Sequence, residues 1–358
     1  MATLIGIVAV LIGAFGVFIY FQSIVRVMLL NRREPDIIER CVRSLAVKIV
    51  HALAGGRHDY EDVQRAQAWI LPIFIFLLVT SWFLLVQTSF SLVLWGLHVE
   101  EGWPRAFSSS GSALSTLGYL TPSTLLGEYL AVYEAAIGLA IVILIFTFVP
   151  GYQAAIQARE RKVGWLFART GRHPNCVTLL EALKKAGPVD DPAVWEDWEN
   201  WFRGIHETHS LSPMLAYVPS VYRGTSWVGA SAAVLDTASV ILSTLDSKQT
   251  DAVRVCRETG VTAIRLIATE LDENRPGQFH TYQSDNPKLI AGFDALYDKL
   301  VEIGLPVRED KEQCRNALVA LRSEYEKSIH HIAASTLMPV EVPWVVAHAN
   351  TAAMKGTS

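Results

Sequence analysis

The chain has 358 residues, 51% of them hydrophobic and only 18% charged. Its mean hydropathy of +0.27 is too high for an ordinary soluble domain, so part of it is expected to lie in lipid. A formal net charge of −4, with no basic arm or nucleic-acid motif, excludes a global affinity for nucleic acid.

From Met1 to Val25 there is no charged side chain, a run long enough for the ~20 residues that a spanning helix needs. Arg26, Arg32 and Arg33 follow this run rather than precede it, as a cleaved leader would require. Residues 1–30 are therefore expected to form a first transmembrane helix with its N-terminus outside. Residues 31–65 are polar and carry Arg40, Arg43, Lys48, Arg57 and Arg65, which places them in the cytoplasm by the positive-inside tendency. Within them Ile37, Ile38, Val42, Leu45, Ala46 and Ile49 form a helical stripe. It suits either the membrane surface or packing on a cytoplasmic domain.

Ala66 to Leu97 is free of charge and long enough for a second span running outward. After Glu100, Glu101 and Arg105 comes an uncharged stretch, Ala106 to Gly127, full of Ser, Thr and Gly. Such a stretch is a poor lipid-facing helix, because backbone and hydroxyl groups at membrane depth survive only inside protein or beside water. It reads as a re-entrant loop. Leu125 to Ala158 then forms a third apolar helix, charged only at Glu128 and Glu134, and Arg159, Arg161, Lys162, Arg169 and Arg172 close it on the cytoplasmic side.

Residues 161–358 are soluble in character. Helical periodicity appears in Val177–Lys185, Val194–Ile205, Trp227–Leu245, Asp251–Leu271, Pro287–Ile303 and Lys311–Ile332, with breaks at Gly187-Pro188 and Arg275-Pro276-Gly277. Ser226 to Leu245 is apolar almost all round and reads as the buried central helix of an all-α domain. A fourth span there is disfavoured because Asp236 would sit in mid-membrane. Trp195, Trp198, Trp201 and Phe202 form an aromatic stripe suited to a core or subunit interface. His206 and His209, one turn apart, are a weak metal hint without a third ligand, and the structural role is favoured. Cys41, Cys176, Cys256 and Cys314 lack any metal-binding spacing and read as reduced thiols. No Gly-x-Gly-x-x-Gly, catalytic triad or paired carboxylates stand out, so no enzyme and no cofactor are expected.

The informative stretch is Phe107-Ser108-Ser109-Ser110-Gly111-Ser112-Ala113-Leu114-Ser115-Thr116-Leu117-Gly118-Tyr119-Leu120-Thr121-Pro122. Together with the helix–loop–helix order of residues 66–160 it resembles the pore helix and selectivity filter of the tetrameric potassium-channel superfamily. Thr116, Leu117, Gly118 and Tyr119 match the family's Thr-x-Gly-Tyr in order, and Pro122 stands where the family often has its proline. Leu120 replaces the second filter glycine, and Thr121 the acidic residue that follows it. The resemblance implies a homotetramer with one loop per chain, conducting potassium or a related cation past rings of backbone carbonyls. It also implies a hydroxyl ligand at Thr116, a left-handed backbone at Gly118, bracing by Tyr119, and a hinge at Gly138. Gly138 reads equally as a close-packing site. Pro150 and Gly151 are the better kink position, where a gate would narrow. Glu134, one turn before Gly138, belongs either to the permeation path or to a hydrogen bond with Ser109 or Ser112 of the pore helix.

The expected protein is thus an all-α, multi-pass cell-membrane protein: three transmembrane helices, a re-entrant pore helix and filter loop, and an all-α cytoplasmic domain. Its expected role is passive cation conduction. The rival is a non-conducting scaffold or sensor that keeps the pore architecture and binds a cytoplasmic partner.

Overall fold

The computed structural model describes residues 2–30, 34–56, 59–171, 174–272 and 286–338. Arg32, Arg33, Arg57, Arg172 and the Arg275-Pro276-Gly277 break lie outside the described residues. In chain order the helices are α1 (Ala2–Ile24, prolonged by a π-turn over Val25–Leu29), α2 (Ile37–Ala54), α3 (Tyr60–Gln67), α4 (Ile70–Gly96), α5 (Trp103–Leu114) and α6 (Leu125–Thr170). They continue with α7 (Cys176–Ala186), α8 (Pro192–Leu211), a 3₁₀ turn (Pro213–Tyr217), α9 (Trp227–Thr244), α10 (Asp251–Asp272), α11 (Asn286–Ile303), α12 (Lys311–Ser323) and α13 (Glu326–Thr336). Among the described residues the only β-pairing is an isolated bridge between Leu245 and Val307. Four helical stretches among the described residues are long and apolar enough to cross a membrane: Thr3–Leu29, Tyr60–Gly96, Leu125–Thr170 and Trp227–Thr244.

The chain divides into two compact units, Met1–Ile49 with Trp69–Ala154, and Val50–Ala68 with Ala155–Ser358. The segment between the first two apolar runs contributes to both units, and α6 passes from one to the other after Ala154.

In the first unit α1 packs along α4. The contact is close because glycines meet there: a Cβ on Gly6 would come within 2.7 Å of the Gly96 carbonyl oxygen. Small residues at such crossings let backbones approach and gain dispersion where no hydrophobic effect operates. Polar groups in the same region are chained together. Trp82 Nε1 donates to Ser23 Oγ (2.9 Å), Ser23 donates to Asp36 Oδ1 (3.0 Å), and Asp36 accepts the Glu39 amide (2.8 Å) at the start of α2. On α2 itself Val42, Ala46 and Val47 are buried while Ile37 and Leu45 are exposed.

Pro150 lies inside α6, whose helical course continues through it to Thr170, so the expected kink does not interrupt the helix. The loss of one hydrogen bond at a proline is absorbed within a helix this long and apolar.

In the second unit α9 is the core. It is 89% buried, with α7, α10, α12 and α13 packed around it. Asp236, in its middle, accepts from Arg322 Nε (3.1 Å) and from the Tyr325 hydroxyl (2.5 Å), and Arg322 also binds Glu326 (3.0 Å). This explains why the expected helix Lys311–Ile332 is broken after Ser323. Tyr325 leaves helical geometry at φ −126°, and the break lets Arg322 and Tyr325, on either side of it, reach one carboxylate.

The aromatic stripe is core: Trp195, Trp198 and Phe202 are buried. Arg159 donates to the carbonyls of Leu215 (3.0 Å) and Val218 (2.9 Å), and Glu160 accepts the Val221 amide (3.1 Å). Gln64 of α3 binds the same loop through the Tyr222 carbonyl (2.9 Å) and the Gly224 amide (3.1 Å). A 3₁₀ turn and its irregular continuation are thereby given partners for backbone groups that no helix satisfies. His209 is buried against Arg159 Nη1 (3.3 Å) and the Trp227 ring. A guanidinium in that contact repels a metal cation, which disposes of the metal hint at this residue.

Two outcomes follow. Replacing Arg322 with leucine leaves the Asp236 charge buried without its partner and is expected to lower the unfolding free energy by about 3–5 kcal/mol, read as a drop in the denaturation midpoint of the solubilised protein. Burial first, and then the Arg159 charge, hold the His209 imidazole well below the usual histidine range. Below about pH 6.5 the unfolded chain gains a proton there that the folded chain does not, so stability falls as the pH drops through that window. The slope of midpoint against pH is expected to flatten in His209→Gln.

Candidate pore loop

A Ser-rich helix between two apolar ones must find a partner for each polar side chain, since an unpaired group in apolar surroundings costs several kcal/mol. Gly102, at φ 88°, turns the chain into α5; a proline occupies its first turn, and Arg105 pairs with Glu100 (2.9 Å) at its start. Gln87, the only amide side chain in α4, donates to the Phe107 carbonyl (3.1 Å). Ser110 Oγ is hydrogen-bonded both to the Gln87 carbonyl oxygen (2.9 Å) and to Glu134 Oε1 on α6. Glu134 is fully buried. Gln87, Ser110 and Glu134 together pin α5 between α4 and α6.

Gly138 stands where α6 passes the end of α5, and a Cβ there would overlap the Leu114 carbonyl oxygen. Of its two readings the structure carries close packing. Glu134 likewise bonds α5, but through Ser110 rather than Ser109 or Ser112. Successive helical side chains are about 100° apart, and the serines point accordingly in different directions: Ser112 Oγ takes the Leu120 amide (2.9 Å), whereas Ser109 Oγ is buried without a partner among the described residues.

Past Leu114 the chain turns back on the helix end. The Thr116 amide donates to Ala113 O (2.9 Å) and the Leu117 amide to Ser112 O (3.1 Å), with Thr116 at φ 59°. This pair of bonds with a left-handed residue is a Schellman ending, usually built on glycine. At a threonine it costs roughly 1–2 kcal/mol. Gly118 is also left-handed, at φ 66°, and its amide joins Leu117 on Ser112 O (3.2 Å). Leu120 is not left-handed and carries no such strain.

Thr116 donates its hydroxyl proton to the Ser115 carbonyl (2.7 Å), which leaves its oxygen lone pairs free. Leu117 and Tyr119 are 72% and 68% exposed, and the Tyr119 hydroxyl reaches Ser108 O only at 3.4 Å. The expected bracing by Tyr119 is therefore weak within one chain. Pro150 and Gly151 are not part of this cluster; nothing lies within 4 Å of a Cβ built on Gly151.

Sequence reasoning missed Gln87. Its signal was an amide in the interior of a charge-free run, a residue type expensive enough there to demand a partner.

Gln87→Leu removes this part-buried hydrogen bond while the Phe107 carbonyl keeps its helical partner within α5, with an expected loss of about 0.5–1.5 kcal/mol in stability. A thermal melt of the purified chain against the wild type checks this. The chain matches no family model, no curated protein and no solved structure.

Proposed function

We propose that this chain is the subunit of a homotetrameric cation channel in the cell membrane, with α1, α4 and α6 as its three spans and α5 with residues 115–122 as a re-entrant pore helix and filter. One observation carries the reading. A short polar helix is clamped between two apolar helices and ends in a loop with two left-handed residues, Thr116 and Gly118, whose neighbours Leu117 and Tyr119 are uncovered by their own chain. Backbone carbonyls from four such loops around an axis replace the water shell of a permeant cation, potassium by the resemblance of the motif. The exposed apolar side chains of α6, among them Val132, Leu139, Val142, Ile143 and Phe146, supply surface for lipid and neighbouring copies.

The basic residues after α1 and along the end of α6 favour an external N-terminus and a cytoplasmic second unit. Burial of α9 by its neighbours, with Asp236 paired inside, supports reading it as a core helix and not as a fourth span.

A second reading, a non-conducting scaffold or sensor, is favoured by a separate observation. The amides of Leu117 and Gly118, and that of Leu120, are all drawn onto Ser112, which folds the outer part of the loop back towards the helix.

Flux into liposomes separates the two. Purified wild-type protein is expected to take up potassium and rubidium, and Gly118→Asp to abolish uptake; wild-type vesicles without uptake sink conduction. Leu120→Gly is expected to sharpen preference for potassium over sodium, whereas silence in both forms favours the scaffold. The mass of the solubilised complex is expected to equal four chains.

A further inference from the structure

Ser110 stands between two oxygens, and its hydroxyl has one proton. One neighbour, the Gln87 carbonyl oxygen at 2.9 Å, can only accept. The other is Glu134 Oε1. Were Glu134 ionised, both neighbours would be pure acceptors. One contact would then set lone pair against lone pair, and a full charge would lie in apolar surroundings.

Among the described residues no cation is placed to offset that charge. Neither α1 nor α4 carries a charged side chain, and the one charged residue of α5, Arg105, is held by Glu100. On α6 the nearest titratable neighbours, Tyr129 and Tyr133, are exposed, as is Tyr119 of the loop, and Glu128 lies exposed at the helix start. Glu134 itself is 0% exposed within one chain, so a second copy cannot reach it. Its other oxygen, Oε2, has no hydrogen-bond partner among the described residues. A carbonyl oxygen tolerates that condition far better than half of a carboxylate does.

We infer that Glu134 is a resident proton-binding site: a carboxylic acid that donates from Oε1 to Ser110 Oγ, which in turn donates to the Gln87 carbonyl. This relay runs from α6 through α5 to α4 with every proton used once. Loss of the Glu134 proton to water reverses it. The carboxylate then accepts from Ser110, the hydroxyl turns away from Gln87, and α5 loses that tie to α4. The anchorage of the loop therefore responds to occupancy of a single proton. The consequence for ion flow rests on the channel reading; the proton site does not.

Infrared spectra of the full chain in lipid vesicles test it. At neutral pH, wild type minus Glu134→Gln is expected to show a carboxylic-acid carbonyl band that shifts in deuterated water. Ser110→Ala is expected to move that band to higher frequency, because the acid loses its acceptor. A difference spectrum with carboxylate bands only, or a carbonyl band indifferent to Ser110→Ala, overturns the proposal. If Glu134→Gln does not assemble, the shift between wild type and Ser110→Ala decides alone. Rubidium uptake in the same vesicles keeps the two readings apart. A band without uptake leaves the proton site standing and removes the channel, and uptake without the band does the reverse.

Discussion

Apolar surroundings offer a polar group no water to fall back on, and that constraint organises both units of this protein. A serine-rich helix such as α5 is a liability between α4 and α6 until its hydroxyls and the carbonyls around it are paired. Gln87 and Glu134 answer that need from opposite sides, with Ser110 between them. The same three residues that remove the cost hold α5 in place ahead of the left-handed residues Thr116 and Gly118.

The second unit meets the same difficulty in its own core. Asp236 on α9 is buried, and it is made acceptable by Arg322 at the end of α12 and Tyr325 in the break before α13. Burial and the Asp236 charge raise the Tyr325 hydroxyl well above the usual tyrosine range, so it stays a donor. An ion pair of this kind adds little net stability over an apolar replacement, but it is costly to break singly, and it sets which turn of α12 and α13 faces α9.

The loop after α5 shows how far a local rule reaches. Helix-ending chemistry, with paired amide bonds on Ala113 and Ser112, accounts for the conformations of Thr116 and Leu117 without any ion or neighbouring chain. The loop's outer surface, with Leu117 and Tyr119, stays exposed in the single chain.

Much of the architecture was legible in the order of residues. Charge-free runs longer than a bilayer is thick, and 3.6-residue periodicity in the later half, are one-dimensional signals, so the apolar helices and most later helices begin within a few residues of where pattern placed them, although α6 runs on to Thr170, past the expected end at Ala158. Glu134 and Gly138 were marked out as residues whose cost or size needed a reason. Their partners were not legible. Ser109, Ser110 and Ser112 are chemically alike in sequence, and only the rotation of α5 against its neighbours selects Ser110 for Glu134. The break between α12 and α13 and the part played by Gln87 depend likewise on side chains far apart in the chain. Composition and periodicity determined which segments form helices and which are apolar, because those depend on neighbours along the chain. Hydrogen-bond pairing and close packing depend on direction and distance in space, and these the tertiary structure alone decided.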